Sequence, residues 1–452
     1  MEQNQQFHKM TETPIGKLIS TLSIPTIISM LVTSIYNMAD TFFVSKLGTS
    51  ASGAVGIVFS VMAIIQAVGF TFGMGSGSWI SRLLGAKKED MSKEVAATGF
   101  YSSVFLCVLL SIVGEWKLDE LMTILGASET ILPYAKDYAG FILLAAPIMG
   151  SSFVLNNILR AEGRAKFAMI GITTGGILNV ALDPLFIFGF DMGIMGAAAA
   201  TALSQLISFL ILLSYFLMGK TTTKLGIRYL SKNPGTYFQI IKNGLPSFSR
   251  QGLASIASIL LNKQASIYGD AAVAAMAIVT KVFMMIFSVM IGFGQGYQPV
   301  AGFNYGAGKP ERVKQAIKFT LFIGVITMGV SAFGLFLGAP WLMGLFISDD
   351  PAVREIGTMA LRAQAISMPL IPIGTVTNMT FQAVGKAWHA TIMSSMRQGI
   401  FFLPLIFLLP AMFELWGVVA AQAAADVLTA FACTPFLYVF YKKLGKEQTG
   451  EK

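Results

Sequence analysis

The chain has 452 residues, of which 54% are apolar and only 12% are Asp, Glu, Lys or Arg. A soluble domain carries about a quarter charged residues, so this chain is too poor in charge for a water-soluble enzyme, and its apolar content excludes intrinsic disorder. Cys107 and Cys433 each sit inside an apolar run, which excludes a disulfide framework or a cysteine metal cluster, and the two histidines, His8 and His389, are far apart. What remains is an all-α polytopic membrane protein.

The N-terminal stretch MEQNQQFHKMTETPIGK is polar. It shows no short apolar core with a small-residue cleavage site, so no signal peptide is expected and the first span stays in place. A spanning helix needs about 20 apolar residues. Twelve such runs lie near 18–44, 51–80, 95–114, 132–158, 167–190, 194–218, 236–267, 271–301, 315–338, 352–381, 388–410 and 415–440. Several are long enough to demand a tilt or a bend. They are continuous, with none of the alternation of a membrane β-barrel.

Lys and Arg mark the cytoplasmic side of a membrane protein. They gather at the N-terminus (Lys9, Lys17), in the 2–3 loop (Arg82, Lys87, Lys88, Lys93) and in the 4–5 loop (Arg160, Arg164, Lys166). The 6–7 loop adds Lys220, Lys224, Arg228, Lys232 and Lys242, and the 8–9 loop Lys309, Arg312, Lys314 and Lys318. Lys386 and the tail lysines 442, 443, 446 and 452 complete the set. The opposite loops carry only Lys46, Lys117 and Arg354, beside acids such as Glu115, Asp119, Asp349 and Asp350. Both termini are therefore expected in the cytoplasm, and the net charge of +9 reads as topology. A nucleic-acid partner is not expected.

The two halves match at an offset of 221 residues: Pro25 with Pro246, Gly48 with Gly269, Ile57-Val58 with Ile278-Val279, Gly75 with Gly296 and Lys88 with Lys309. Near the fourth and tenth spans the offset is 222, pairing Pro147 with Pro369, Asn156 with Asn378 and Gly163 with Gly385. Six spans per half is an even number, so both halves have one orientation, a parallel repeat about the membrane normal. The expected division is an N-terminal lobe at 1–218, a cytoplasmic linker at 219–235, a C-terminal lobe at 236–441 and a tail at 442–452. Two such bundles can rock about a central cavity, which favours a transporter.

An ionisable side chain at mid-span costs about 2.5–3.5 kcal/mol on insertion scales and is usually functional. Asp40 lies six residues before Lys46, roughly 9 Å below the outer end of helix 1 at 1.5 Å per residue. Asp183, seven residues before Phe190, lies at a similar depth in helix 5, and Thr201 in helix 6 is comparable. Tyr36 and Asn37 share a face with Asp40, and Asn179 shares one with Asp183. Burial and a neighbouring like charge both favour the neutral carboxyl, so such a pair can exchange a proton near physiological pH. With Asn, Thr and backbone oxygens it can equally hold a small hard cation. The alternative is that each acid is a satisfied polar residue that fixes helix packing.

The second half differs. Leu261 stands where Asp40 stands in the first, and the embedded charges are Arg250, Lys263, Lys281, Arg397 and a single acid, Asp426. Ion coupling is thus expected in the first half, with the cations pairing with Asp426 or with carbonyls. Pro25 interrupts helix 1 and Pro246 helix 7, and proline permits a bend. Helix 1 either bends at Pro25 when Asp40 changes charge or carries a static kink; one helix shape in low-pH and high-pH crystals would refute the switch. Met30 and Met38 near Tyr36, or Met284, Met285 and Phe287, suit an adaptable apolar wall, although most Met and Phe side chains serve lipid contact or packing. The glycine-rich stretch 73–78 lies inside a span, and no phosphate loop, zinc, haem or nucleophile–His signature is present.

The run SIYNMADTFFVSKLG of helix 1, the run ILNVALDP of helix 5 and the paired halves resemble the multidrug and toxin extrusion (MATE) family. The match is nearest the DinF-like branch, which includes staphylococcal-type multidrug exporters, and covers about residues 14–441. The resemblance implies a V-shaped pair of six-helix lobes and efflux of lipophilic organic cations in exchange for protons or sodium. It implies coupling through Asp40, Asn179, Asp183 and Thr201, which would also ligate the ion if it is sodium. Tyr36, Asn37, Met38 and Asn156 are expected to line the substrate cavity, with Pro25 as the conformational element. Another branch uses acids in helix 7, where this chain has Arg250, Gln251 and Lys263, so that mechanism does not match. The expected protein is no enzyme, binds no cofactor, works as a monomer in the cytoplasmic (inner) membrane and meets drugs and lipids as partners. A lipid-linked glycan flippase of similar fold is the alternative, and a non-transporting scaffold fits poorly with such short loops.

Overall fold

A computed structural model describes residues 2–347 and 350–449. Asp349 and Lys452, counted above among the loop charges, lie outside them, as does the side chain of Lys446. Twelve long helical segments follow one another: α1 Ile15–Ser45, α2 Thr49–Gly85, α3 Glu89–Trp116, α4 Leu132–Ala161, α5 Ala165–Gly189 and α6 Gly193–Leu217 form the first lobe. The second lobe holds α7 Pro234–Ser266, α8 Asp270–Gly306, α9 Pro310–Phe346, α10 Pro351–Ala383, α11 Ala387–Phe413 and α12 Leu415–Thr449. No strand occurs among the described residues. An additional helix, Glu2–Glu12, precedes α1.

Eleven of the twelve are both long and apolar enough to cross a bilayer. The exception is α7, which has 33 residues but carries Lys242, Arg250, Lys263 and three glutamines. Its cost is met by packing along α2 and α11, which turns part of its polar surface into the protein. Helix ends fall where the chain must reverse. Gly48 and Gly269, matched across the repeat, adopt φ of +111° and +97°, a region closed to most side chains.

Lipid tails are as apolar as leucine, so helices in a bilayer associate through close packing of small residues. The seam between the lobes is built that way. A Cβ placed on Gly75 would lie 2.2 Å from the Ile240 carbonyl, and one on Gly244 would lie 2.0 Å from that of Thr71. The same contact recurs with the halves exchanged, where a Cβ on Gly296 would meet Ser23. Closer to the termini, Gly85 abuts the Phe303 carbonyl and Gly306 that of Arg82. The Arg82 guanidinium also crosses the seam to donate to the Ala383 carbonyl at 2.8 Å, where its charge suits the C-terminus of α10.

All these contacts lie in the half of the helices nearer the termini. Among the described residues, hydrogen bonds across the seam reach away from the termini only as far as Ser34–Ser288 at 2.8 Å and Gln251–Gln66 at 3.1 Å. The lobes therefore form a V that opens away from the termini. The helix Glu2–Glu12 straps the closed end. Gln6 donates to the Glu162 carbonyl of the first lobe, while the Met10 carbonyl accepts from Asn304 of the second at 3.1 Å.

Candidate functional site

A second apolar cluster fills the outer end of the first lobe, packing Val44, Ala51, Ile142, Ile187 and Ile194 around Tyr138. Into it α5 brings Asn179 and Asp183. Three glycines let α5 approach its neighbours: a Cβ on Gly171 would strike Leu212 of α6, one on Gly175 Ser208 of α6, and one on Gly176 Val32 and Tyr36 of α1. Immediately beyond Asp183-Pro184 the helix widens into a π-helical turn, Leu185–Gly189, a feature common at functional sites.

The polar side chains form a chain of contacts. Asn179 donates to Asp183 Oδ1 at 3.1 Å and to Thr201 Oγ1 at 3.1 Å. The Tyr138 hydroxyl donates to Asp40 Oδ2 at 3.4 Å and also hydrogen-bonds Thr201. Asp40 and Asp183 interact electrostatically, so acids from α1 and α5 share one environment. Asp183 is 0% exposed, Asn179 2% and Thr201 3%. Three buried oxygens, Asp40 Oδ1, Asp183 Oδ2 and Asn179 Oδ1, meet no hydrogen-bond donor among the described residues. Buried polar atoms are rarely left so. An oxygen-only set of this kind has the chemistry to take up a proton or a small hard cation.

A larger cavity of about 260 Å³ lies between the lobes, on the side of α7, α8, α10, α11 and α12. Gln66 and Phe70 of the first lobe and Arg250, Gln251, Met284 and Phe287 of the second are on its wall. Asp426 is there too, ion-paired with Arg397 at 2.7 Å, and the Arg397 guanidinium lies over the Phe287 ring.

The MatE family model matches residues 25–185 and 246–408, two stretches whose starts are the paired Pro25 and Pro246. The chain belongs to the MATE family. It is 31% identical to the multidrug export protein MepA of Staphylococcus aureus over 443 residues, covering 98% of this chain and 97% of that one. Among solved structures it resembles a MATE crystal structure in complex with MaL6 at a TM-score of 0.93 and 28% identity, over 97% of this chain and 99% of that one. It also resembles the outward-facing conformation of a multidrug resistance MATE transporter of the MOP superfamily, at 0.92 and 28%, over 98% of both. The protein is a multi-pass membrane transporter of the MATE multidrug efflux family.

Not every residue singled out in the sequence reaches this MATE polar group. Tyr36 does, through Gln205 and beside Asp40. Asn37 is half-buried and Met38 36% exposed on the outer part of α1, and neither lines the central cavity, which Met30 lines instead. Asn156 is a correction. It stands 18 positions from Tyr138 on α4, about 27 Å along a helix. Its amide donates to the Ala168 carbonyl at 3.2 Å, as its repeat partner Asn378 does to Ala390 at 2.9 Å. Both asparagines brace a helical hairpin. Pro25 is buried inside a continuous α1, not at an interruption. Lys263 and Lys281 lie on the surface of the chain and do not line the central cavity. Tyr138 and Gln205 were missed. The signal for Tyr138 was its depth, six residues into α4, which matches that of Asp40.

Proposed function

We propose that this transporter exports lipophilic organic compounds, organic cations among them, in exchange for protons or sodium ions by alternating access. The end that carries the termini and the basic loops faces the cytoplasm in this reading, and the V opens to the outside. The observation that carries it is the group of donor-less oxygens on Asp40, Asp183 and Asn179, supplied by two helices, α1 and α5, beside an apolar cluster. Uptake of the coupling ion from outside neutralises the acids, relaxes their contacts with Tyr138 and Asn179, and thereby shifts α1 and α5 so that cargo leaves. Release of the ion to the inside resets the lobe. An ion that binds one state better than the other shifts the equilibrium only by that difference, so coupling requires the acids to change environment between states.

The test is dye efflux in proteoliposomes with a proton gradient and a sodium gradient imposed separately. Asp40→Asn and Asp183→Asn should each abolish gradient-driven efflux while leaving the protein folded and able to bind dye. Efflux unchanged in both variants would overturn the reading. Lipid-linked glycan flipping requires a strongly cationic cavity, whereas here Asp426 neutralises Arg397, Lys263 and Lys281 are not on the wall, and Arg250 is the single basic side chain left there, which favours drug export.

A further inference from the structure

The charges on the wall of the central cavity do not balance. Its one carboxylate, Asp426, is held by Arg397 at 2.7 Å and by the amides of Gln364 and Gln422 at 2.8 and 3.0 Å. Nothing of it remains for Arg250. That side chain is on the same wall, and no ion pair or hydrogen bond engages it among the described residues. Gln295 separates the cavity from a void of about 20 Å³, which Arg160 of α4 also lines. Arg160 is 5% exposed and among the described residues donates only to Gln295 and Asn157, both neutral. The charge it feels is that of Arg250. Two guanidinium groups, one from each lobe, thus interact across the seam with no acid between them.

Burying like charges without a counter-charge is costly, and an anion relieves that cost. Guanidinium is suited to the task, because its planar fork matches a carboxylate or phosphate and it is never deprotonated. The cavity supplies the rest of a ligand site, with room for a drug-sized body and an apolar lining of Phe70, Phe287 and Met284. We propose that Arg250, backed by Arg160, is an anion-binding site of the central cavity, and that the cavity takes lipophilic aromatic compounds bearing a carboxylate or phosphate group. The inference rests on the reading that this cavity holds cargo, and it adds amphoteric compounds to the organic cations proposed above.

A matched pair of dyes tests it. Rhodamine 110 has a free benzoate carboxylate, and rhodamine 123 is its methyl ester. Binding to the detergent-purified full chain is read by fluorescence anisotropy. The acid should bind more tightly than the ester, and Arg250→Gln should weaken the acid about tenfold, the scale of a hydrogen bond to a charged group, while the ester shifts less than twofold. Arg250→Lys keeps the charge and should restore part of the loss. Equal affinities for acid and ester in the wild type, or equal losses for both in Arg250→Gln, overturn the site, as does failure to bind either dye. Competition separates the sources of the anion. Displacement of rhodamine 110 by dihexanoyl phosphatidate at lower concentration than by benzoate points to a lipid phosphate, and the reverse order to a soluble carboxylate; either order supports the site. Efflux of both dyes is measured in parallel. Acid-selective binding without efflux of either dye keeps the anion site and sinks the transport reading. Efflux of the ester with no preference for the acid does the opposite.

Discussion

Tyr138 ties the two acids together: its hydroxyl reaches Asp40 on one side and Thr201 on the other, and Thr201 accepts from the Asn179 amide that also serves Asp183. Tyr138→Phe removes that link and keeps the ring among its apolar neighbours. A hydrogen bond to a charged group is worth about 1.5–3 kcal/mol, so gradient-driven efflux should fall about tenfold in proteoliposomes, with a melting temperature close to that of the wild type. Asp40, Asn179, Asp183 and Thr201 were legible in the sequence because a polar side chain inside an apolar run has a cost, and its distance from the loop gives its depth. Tyr138 was not, because a tyrosine in an apolar helix also serves packing; only its neighbours decide. The pairing of Arg397 with Asp426 was open for the same reason, since sequence gives depth along a helix and not the direction in which a side chain points.

Helices meet in this protein where glycine allows it. At Gly75 and Gly244 the obstruction to a side chain is backbone, at 2.2 and 2.0 Å, and backbone cannot rotate away. Gly244→Val should therefore push α2 and α7 apart and lower the stability of the closed seam by about 1–3 kcal/mol, the usual scale of overpacking. A fall in melting temperature and longer spin-label distances across the seam near the termini would record it. Gly252→Ala, at a position with no neighbouring atom within 4 Å, is the control and should be neutral or slightly stabilising. The α5 glycines act in the same way for the polar group: without Gly175 and Gly176, Asn179 and Asp183 would stand too far from α6 and α1. The regular spacing of these glycines was visible in the chain, but which helix each one admits was not.

At the scale of the whole molecule, one fold repeated twice has been given two different chemistries. The first lobe brings two acids, Asp40 and Asp183, into one polar group, whereas the second pairs its embedded acid, Asp426, with Arg397 and has Leu261 where the first half has Asp40. The lobes touch at mid-depth through Ser34 and Ser288, whose hydroxyls are 2.8 Å apart, close enough for a disulfide once both are cysteine. Ser34→Cys with Ser288→Cys should cross-link under mild oxidation, hold the V in its present form and stop efflux. A reductant should restore it. The native Cys107 and Cys433 are buried and should not interfere. Efflux that continues at full rate in the oxidised, cross-linked protein would show that the lobes need not part at this point during transport.

The sequence by itself determined the helices, their bounds to within about nine residues, the repeat, the charge bias of the loops and the depth of each buried acid. Each of these is a property of position along one chain, written in hydropathy and spacing. The tertiary structure alone decided which side chains meet: Tyr138 with Asp40, Arg397 with Asp426, and Arg250 with no acid at all. The reason is physical. Within a bilayer no gradient of hydrophobicity orders one helix against another, so rotation and approach are fixed by small-residue contacts between segments distant in sequence, and those contacts exist only once the lobes are assembled.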